Sequence, residues 1–200
     1  MTRNYEKTDV RKQQIINAAR KIIVQDGGEQ VTVKKIAREV GISETAIYRH
    51  FSSKKEILGL LVEHIEEILV GDLTAVTAAG NETAMERLEA TLKRHISAIE
   101  KRRGISFQVM AEIISFGDRD LKAKVLRAIE KYTASIKDLL MAGVKSGEVR
   151  SDIDADAVAT VLFGTISSLV NIWALRGYDV NPKRKYLAIW GFLRSAIASQ

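Results

Sequence analysis

The residues with the clearest chemistry sit together in one stretch, Glu44-Thr45-Ala46-Ile47-Tyr48-Arg49-His50. At about 100° per residue, Glu44, Thr45, Tyr48 and Arg49 share one helical face, and Ala46 and Ile47 share the other. One side carries hydrogen-bonding groups and the other side anchors. Arg49 offers a guanidinium that can bond a guanine in two places, whereas Glu44 must accept from a cytosine amine or turn away. A helix built this way suits the reading of base edges in a DNA major groove. An ordinary αα-corner whose polar face meets water has the same spacing.

The elements that position this face are legible around it. Val33, Ile36, Ala37 and Val40 form an apolar stripe at helical spacing. Gly41 follows, a residue suited to a left-handed helix stop. Ile42 is an apolar plug, and Ser43 is a good N-cap for the next helix. Thr32 caps the preceding one. A capping threonine can equally hold a phosphate, because free N–H groups and the helix dipole point there, and both readings stand. Lys34 lies in the first turn, where a cation mildly disfavours the helix, and an anion in front would remove that penalty. Residues 1–55 hold 12 Lys/Arg and 6 Asp/Glu, whereas residues 56–200 hold 19 of each. The whole net charge of +6 therefore belongs to the segment with the corner. A basic segment on a neutral body is the footprint of a nucleic-acid binder.

The run from Thr32 to Leu58, with its TAIYRHFSSKKEIL end, resembles the N-terminal domain of the TetR family of bacterial transcriptional regulators. Beyond that domain the likeness is one of length and helix layout. The resemblance implies that Glu44, Thr45 and Ala46 approach base edges and that Arg49 is a site of variation. It implies that Tyr48 and His50 contact the DNA backbone and that Lys54 grips a phosphate past the reading helix. His50 projects towards the Ala46/Ile47 side, so a packed structural histidine is the alternative reading. The family also implies a homodimer on a palindromic operator, with a small-molecule effector.

The rest of the chain reads as all-α, about nine helices by apolar periodicity. The expected organisation is a three-helix helix-turn-helix domain over 1–54 and a helical ligand-binding and dimerisation domain over 55–200. Residues 1–8 read as a polar arm whose Arg3 and Lys7, with Arg11 and Lys12 just beyond, either touch phosphates or are simply solvated. The first helix is expected from Asp9, as its cap, to Gln25. A helix from Lys54 to Ala78 reads as a lever between the domains, followed by a turn at Ala78–Asn81. Further helices are expected over about 83–101, 105–116, 121–145 and 155–174, with a last one opening at Asn181-Pro182.

Apolar and aromatic residues exceed what single stripes need. Phe107, Met110, Ile114, Tyr132, Ile136, Phe163 and Trp173 are the candidate lining of a pocket for a small hydrophobic effector. A fatty acyl compound and a lipophilic aromatic molecule both fit, and an anionic head group would need Arg127, Lys131 or Arg176 at the rim. The helix around AVATVLFGTISSLVNIWAL is apolar nearly all round and is expected to be fully buried. Val161, Gly164, Ser168, Tyr186, Trp190 and Leu193 are the candidate interface with a second copy.

No cofactor or metal site is expected. The chain has no cysteine, and His50, His64 and His95 lack partners at metal-binding spacing. No nucleotide-binding glycine motif or G-x-S-x-G is present, so catalysis is not expected. The polar start MTRNYEKTDVRKQQ is no signal sequence, and no run of 18 or more apolar residues occurs, so no membrane span and a cytoplasmic location are expected. The reading is a ligand-responsive DNA-binding repressor. Its rival is a helical partner-binding or scaffold protein without DNA contact.

Overall fold

The computed structural model describes residues 2–74, 82–179 and 181–199, with side chains from residue 8 onward. These residues form nine α-helices: α1 Thr2–Asp26, α2 Val33–Val40, α3 Glu44–Tyr48, α4 Lys54–Thr74, α5 Ala84–Lys101, α6 Ile105–Ser115, α7 Arg119–Ser146, α8 Ala155–Leu175 and α9 Pro182–Ile197. The chain divides into two compact units. One comprises Met1–Ile65 and Gln108–Ala128, the other Glu66–Phe107 and Ile129–Gln200. Each boundary falls inside a helix, in α4, α6 and α7.

In the first unit, α1 buries Ile15, Ala18, Ala19, Ile22 and Ile23, the stripe its periodicity gives. It packs on α2, and α2 packs on α3. The expected arm is helix instead: α1 begins at Thr2, and Asp9 is an interior residue, not a cap. Nothing in TRNYEKTD stops a helix, because the segment has neither Gly nor Pro. The side chains of Arg3 and Lys7 lie outside the described residues, as does the turn expected at Ala78–Asn81. A 3-10 turn at Gly28–Gln30, which the sequence reading lacked, joins α1 to α2.

In the second unit, α5 packs on α9, and α9 on α8. The α5 N-terminus is held twice. Thr83 and Glu86 form a reciprocal capping box. Glu148 then accepts from the Ala84 and Met85 amides, both at 2.9 Å. The Ser146 hydroxyl also donates to this carboxylate, at 2.8 Å, and its pKa falls to about 2; the Met85 amide is the first cause, followed by Ser146 and Ala84.

Within the single chain α8 is only partly buried, so full burial would need a second copy. Ala159, Leu162, Ile166, Leu169 and Val170 are buried, but Val161, Ile172 and Leu175 are half-exposed or more. Although interrupted by polar residues, α8 reaches a mean hydropathy of 1.8 and is long and apolar enough to cross a membrane. Only 33% of that window is buried within the chain, so an apolar strip is left uncovered.

Candidate nucleic-acid interface and effector region

The corner is built as its sequence dictates. Thr32 Oγ1 accepts from the Lys35 amide at 3.1 Å and opens α2. Gly41 ends it in the left-handed conformation, φ 76°, which a side chain would strain. Ser43 Oγ then accepts from the Ala46 amide at 3.2 Å and opens α3. Ile47 and Phe51 are fully buried and fix this short helix to the unit. Glu44, Thr45, Tyr48 and Arg49 all face solvent, with Tyr48 54% exposed. Ala46 and His50 are half-buried. Arg49 and His50 lie just past the last turn of α3, which is shorter than the Glu44–His50 helix expected. Thr32 and Lys34 are exposed at the N-terminus of α2. Neighbouring Lys21, Lys35 and Lys55 are paired with Glu39, Asp26 and Asp118/Asp120. Lys34 and Arg49 form no ion pair among the described residues, so their charge is free for an outside anion.

Lys54 is more constrained than its sequence suggests. Its Nζ donates to the Val31 carbonyl at 3.0 Å and lies 5.2 Å from the Phe116 ring centroid. Beside it, the Gly28 amide donates to Glu112 at 3.1 Å. A Cβ on Gly28 would come within 2.7 Å of the Phe116 ring, so glycine is required there by close approach. Glu112 and Phe116, at the C-terminal end of α6, thus hold the loop that leads into Thr32. No local sequence signal marks this clamp, because its partners are 84 residues apart.

Among the expected pocket residues, Phe107, Tyr132 and Phe163 do come together. Their ring centroids are 5.6 to 6.4 Å apart. Ile136 is buried in the same unit. Met110 is buried in the other unit, and Ile114 is 42% exposed. Ile114 is therefore no interior residue: it lies in the last turn of α6, where the chain turns away at Gly117. Trp173 packs edge-on against Tyr178 at 5.0 Å and not on the aromatic group.

Sequence reading missed the polar chain beside that group. Tyr132 Oη lies 2.8 Å from His95 Nε2, and His95 Nδ1 lies 3.2 Å from Asp72. Arg102 pairs with the same carboxylate. A carboxylate only accepts, so Nδ1 carries the His95 proton and Tyr132 donates to Nε2. Burial disfavours charge on Asp72, but hydrogen bonds from His95 and Arg102 outweigh it and hold its pKa below the usual range. Burial holds His95 low and neutral against the pull of Asp72. Burial, then the charge of nearby Tyr186, pushes Tyr132 well up. The Thr91 and Tyr186 hydroxyls are buried in this unit without a partner.

The expected interface residues divide. Val161 and Ser168 are exposed, and Gly164 and Leu193 are half-buried. Tyr186 and Trp190 are buried within the single chain, at 0% and 3% exposure, because α9 turns their face onto α5 and α8. The exposed apolar side chain on α9 is Phe192, at 72%.

Two family descriptions match the chain: bacterial regulatory proteins of the tetR family over residues 15–61, and the C-terminal region of YsiA-like proteins over residues 54–190. The chain belongs to the TetR family of bacterial transcriptional regulators. A TetR-type helix-turn-helix domain followed by a helical C-terminal region is its architecture. The fatty acid metabolism regulator protein of Bacillus subtilis is 27% identical over 177 residues, 84% of this chain and 86% of that protein. The nucleoid occlusion factor SlmA of Vibrio atlanticus is 23% identical over 188 residues, 94% of this chain and 95% of that one. The transcriptional regulator FadR from Bacillus subtilis, solved in complex with stearoyl-CoA, superposes with a TM-score of 0.76 at 25% identity, covering 92% of this chain and 98% of that one. The two Bacillus subtilis proteins are named as regulators, and no group of three or more metal-ligating side chains occurs among the described residues here.

Proposed function

We propose that this TetR-family protein is a homodimeric repressor that leaves a palindromic operator when a fatty acyl thioester binds its C-terminal region. The observation that carries the DNA part is the solvent-facing set Glu44, Thr45, Tyr48 and Arg49 on a helix anchored by Ile47. Base selectivity falls to Glu44, Thr45, Ala46 and Arg49, and register to phosphate contacts from Thr32, Lys34, Tyr48, His50 and Lys54. The pairing face is Val161, Ser168, Leu175 and Phe192, with Gly164 and Leu193 at its edge. The support for it is the apolar strip that α8 leaves uncovered. Two-fold pairing spaces the half-sites by about 34 Å or a multiple. The cytoplasm, where DNA is, is the compartment this role requires.

The effector reading rests on the aromatic group of Phe107, Tyr132 and Phe163 and on the stearoyl-CoA held by a relative. Ile136 and the unpartnered Thr91 and Tyr186 hydroxyls are buried in the same unit, and hydroxyl donors suit a thioester carbonyl. An effector acts only through its differential affinity for the two DNA-binding states, typically about 1–3 kcal/mol. The test is selection of binding sites from random duplex DNA by the purified protein, then release of the recovered site by acyl-CoA thioesters of graded chain length. A palindrome released by long-chain thioesters is expected. Recovery of no motif from either purified protein or protein in cell extract would overturn the DNA reading. A palindrome indifferent to every thioester would overturn the effector alone.

A further inference from the structure

Where α8 ends and α9 begins, a cavity of 140 Å³ is lined by Leu169, Ile172, Trp173, Arg176, Pro182 and Lys185. Four of these are apolar and two are cations. Neither cation has an ion-pair partner among the described residues. Lys185 is one of three consecutive cations, Lys183, Arg184 and Lys185, in the first turns of α9, which has no acid in its first turn. Cations are disfavoured at that end of a helix, where free N–H groups already present positive charge. Trp173 is 93% buried (7% exposed), and its indole N–H has no acceptor. A buried donor left unpaired is costly. The α9 N-terminus itself is capped, since Asn181 accepts from the Arg184 amide at 2.9 Å and Pro182 has no N–H. Two features of the lining residues remain uncompensated, the side-chain cations and the indole N–H, and a negative oxygen relieves both. The remaining walls call for an apolar body, and the cavity is of about the size that holds one benzene ring.

We propose that this cavity is a second small-molecule site, for a carboxylate or phosphate ester carried on a compact aromatic or branched apolar group. The oxygens lie between Arg176 and Lys185, and the apolar group rests on Leu169, Ile172 and Pro182. None of the residues that line this cavity belongs to the Phe107–Tyr132–Phe163 group. It does not depend on the acyl thioester reading.

The experiment titrates the full-length protein with benzoate, phenyl phosphate, benzyl alcohol and inorganic phosphate. The readout is the pair of indole N–H signals in a proton–nitrogen correlation spectrum, since the chain has 2 tryptophans. One indole signal is expected to shift saturably with benzoate or phenyl phosphate, and which of the two binds more tightly identifies the head group. Benzyl alcohol and inorganic phosphate are expected to bind about tenfold more weakly or worse, each lacking half of the recognition. The surface double variant Arg176→Gln/Lys185→Gln is expected to lose about tenfold or more in affinity for the anion while keeping the wild-type spectrum elsewhere. No shift with either anion, equal binding of the neutral alcohol, or an unaffected double variant would each overturn the proposal. Acyl-CoA release of DNA is measured on the same double variant. Unchanged release there separates the two sites, so either can fail while the other stands.

Discussion

Replacing Lys54 by Met separates two roles that the geometry gives this lysine. The methionine stem keeps the packing over Phe116 but removes the ammonium and its bond to the Val31 carbonyl. An ammonium has three N–H donors, so two remain for a phosphate once Val31 is served. Each neutralised phosphate contributes about 0.9 to the slope of log K against log salt. A two-fold dimer presents Lys54 twice, so the slope should flatten by about 1.8. Between 50 and 200 mM salt the wild type would then lose about 12-fold more affinity than the variant. Fluorescence anisotropy of a labelled operator duplex over a salt series measures both slopes. A purely structural lysine gives another pattern: loosening Val31 lowers affinity equally at every salt concentration, and the two lines stay parallel. Parallel lines refute the phosphate contact and leave the loop-holding role alone. Lys54→Arg, which keeps the charge, should retain the wild-type slope.

Gly28→Ala drives a Cβ against the Phe116 ring and should cost about 1–3 kcal/mol in urea unfolding; Phe116→Ala in the same chain should recover part of it, and strict additivity of the two would show that they do not touch. Tyr132→Phe leaves the buried His95 Nε2 without its donor and should cost about 1–3 kcal/mol, read in the same assay. Glu148 has a folded pKa of about 2, below its ordinary value of 4.5, so its contribution is fully present above 4.5 and fades as pH falls towards 2. Glu148→Gln should therefore lower the melting temperature at neutral pH and flatten its fall across that window; an unchanged acid profile would discard the cap as a source of pH dependence. Phe192→Glu places a charge on the proposed pairing face and should convert dimer to monomer in analytical ultracentrifugation, with loss of operator affinity.

The corner was legible because every decision in it is local. Thr32, Gly41 and Ser43 act within four residues of themselves, and Ile47 opposite Tyr48 follows from helical period alone. Local reasoning failed where the deciding partner is remote. The start of α1 was missed because Asp9 is a good cap by type, yet nothing before it terminates the helix. Tyr186 and Trp190 have the composition of an interface, but only the packing of α9 on α5 and α8 decides which apolar side chains remain outside. The Asp72–His95–Tyr132 chain joins α4, α5 and α7, and no spacing rule links residues on three helices.

The same distinction bears on what ties the proposed reading helix, α3, to α6. The capped corner is self-sufficient: its hydrogen bonds close within α2 and α3. What the corner does not fix by itself is the loop leading into Thr32, and that loop is held from α6. Glu112 holds the Gly28 amide, Phe116 packs on the space a Cβ would fill, and Lys54 bridges the Phe116 ring and the Val31 carbonyl. These three contacts meet within one turn of α6 and four residues of loop. A displacement of that turn of α6 therefore cannot leave the N-terminus of α2 where it was without giving up a hydrogen bond to a carboxylate, worth about 1.5–3 kcal/mol. That is the same size as a typical coupling free energy between an effector and an operator. On the proposed reading, this is the contact through which α6 would bias the position of α2.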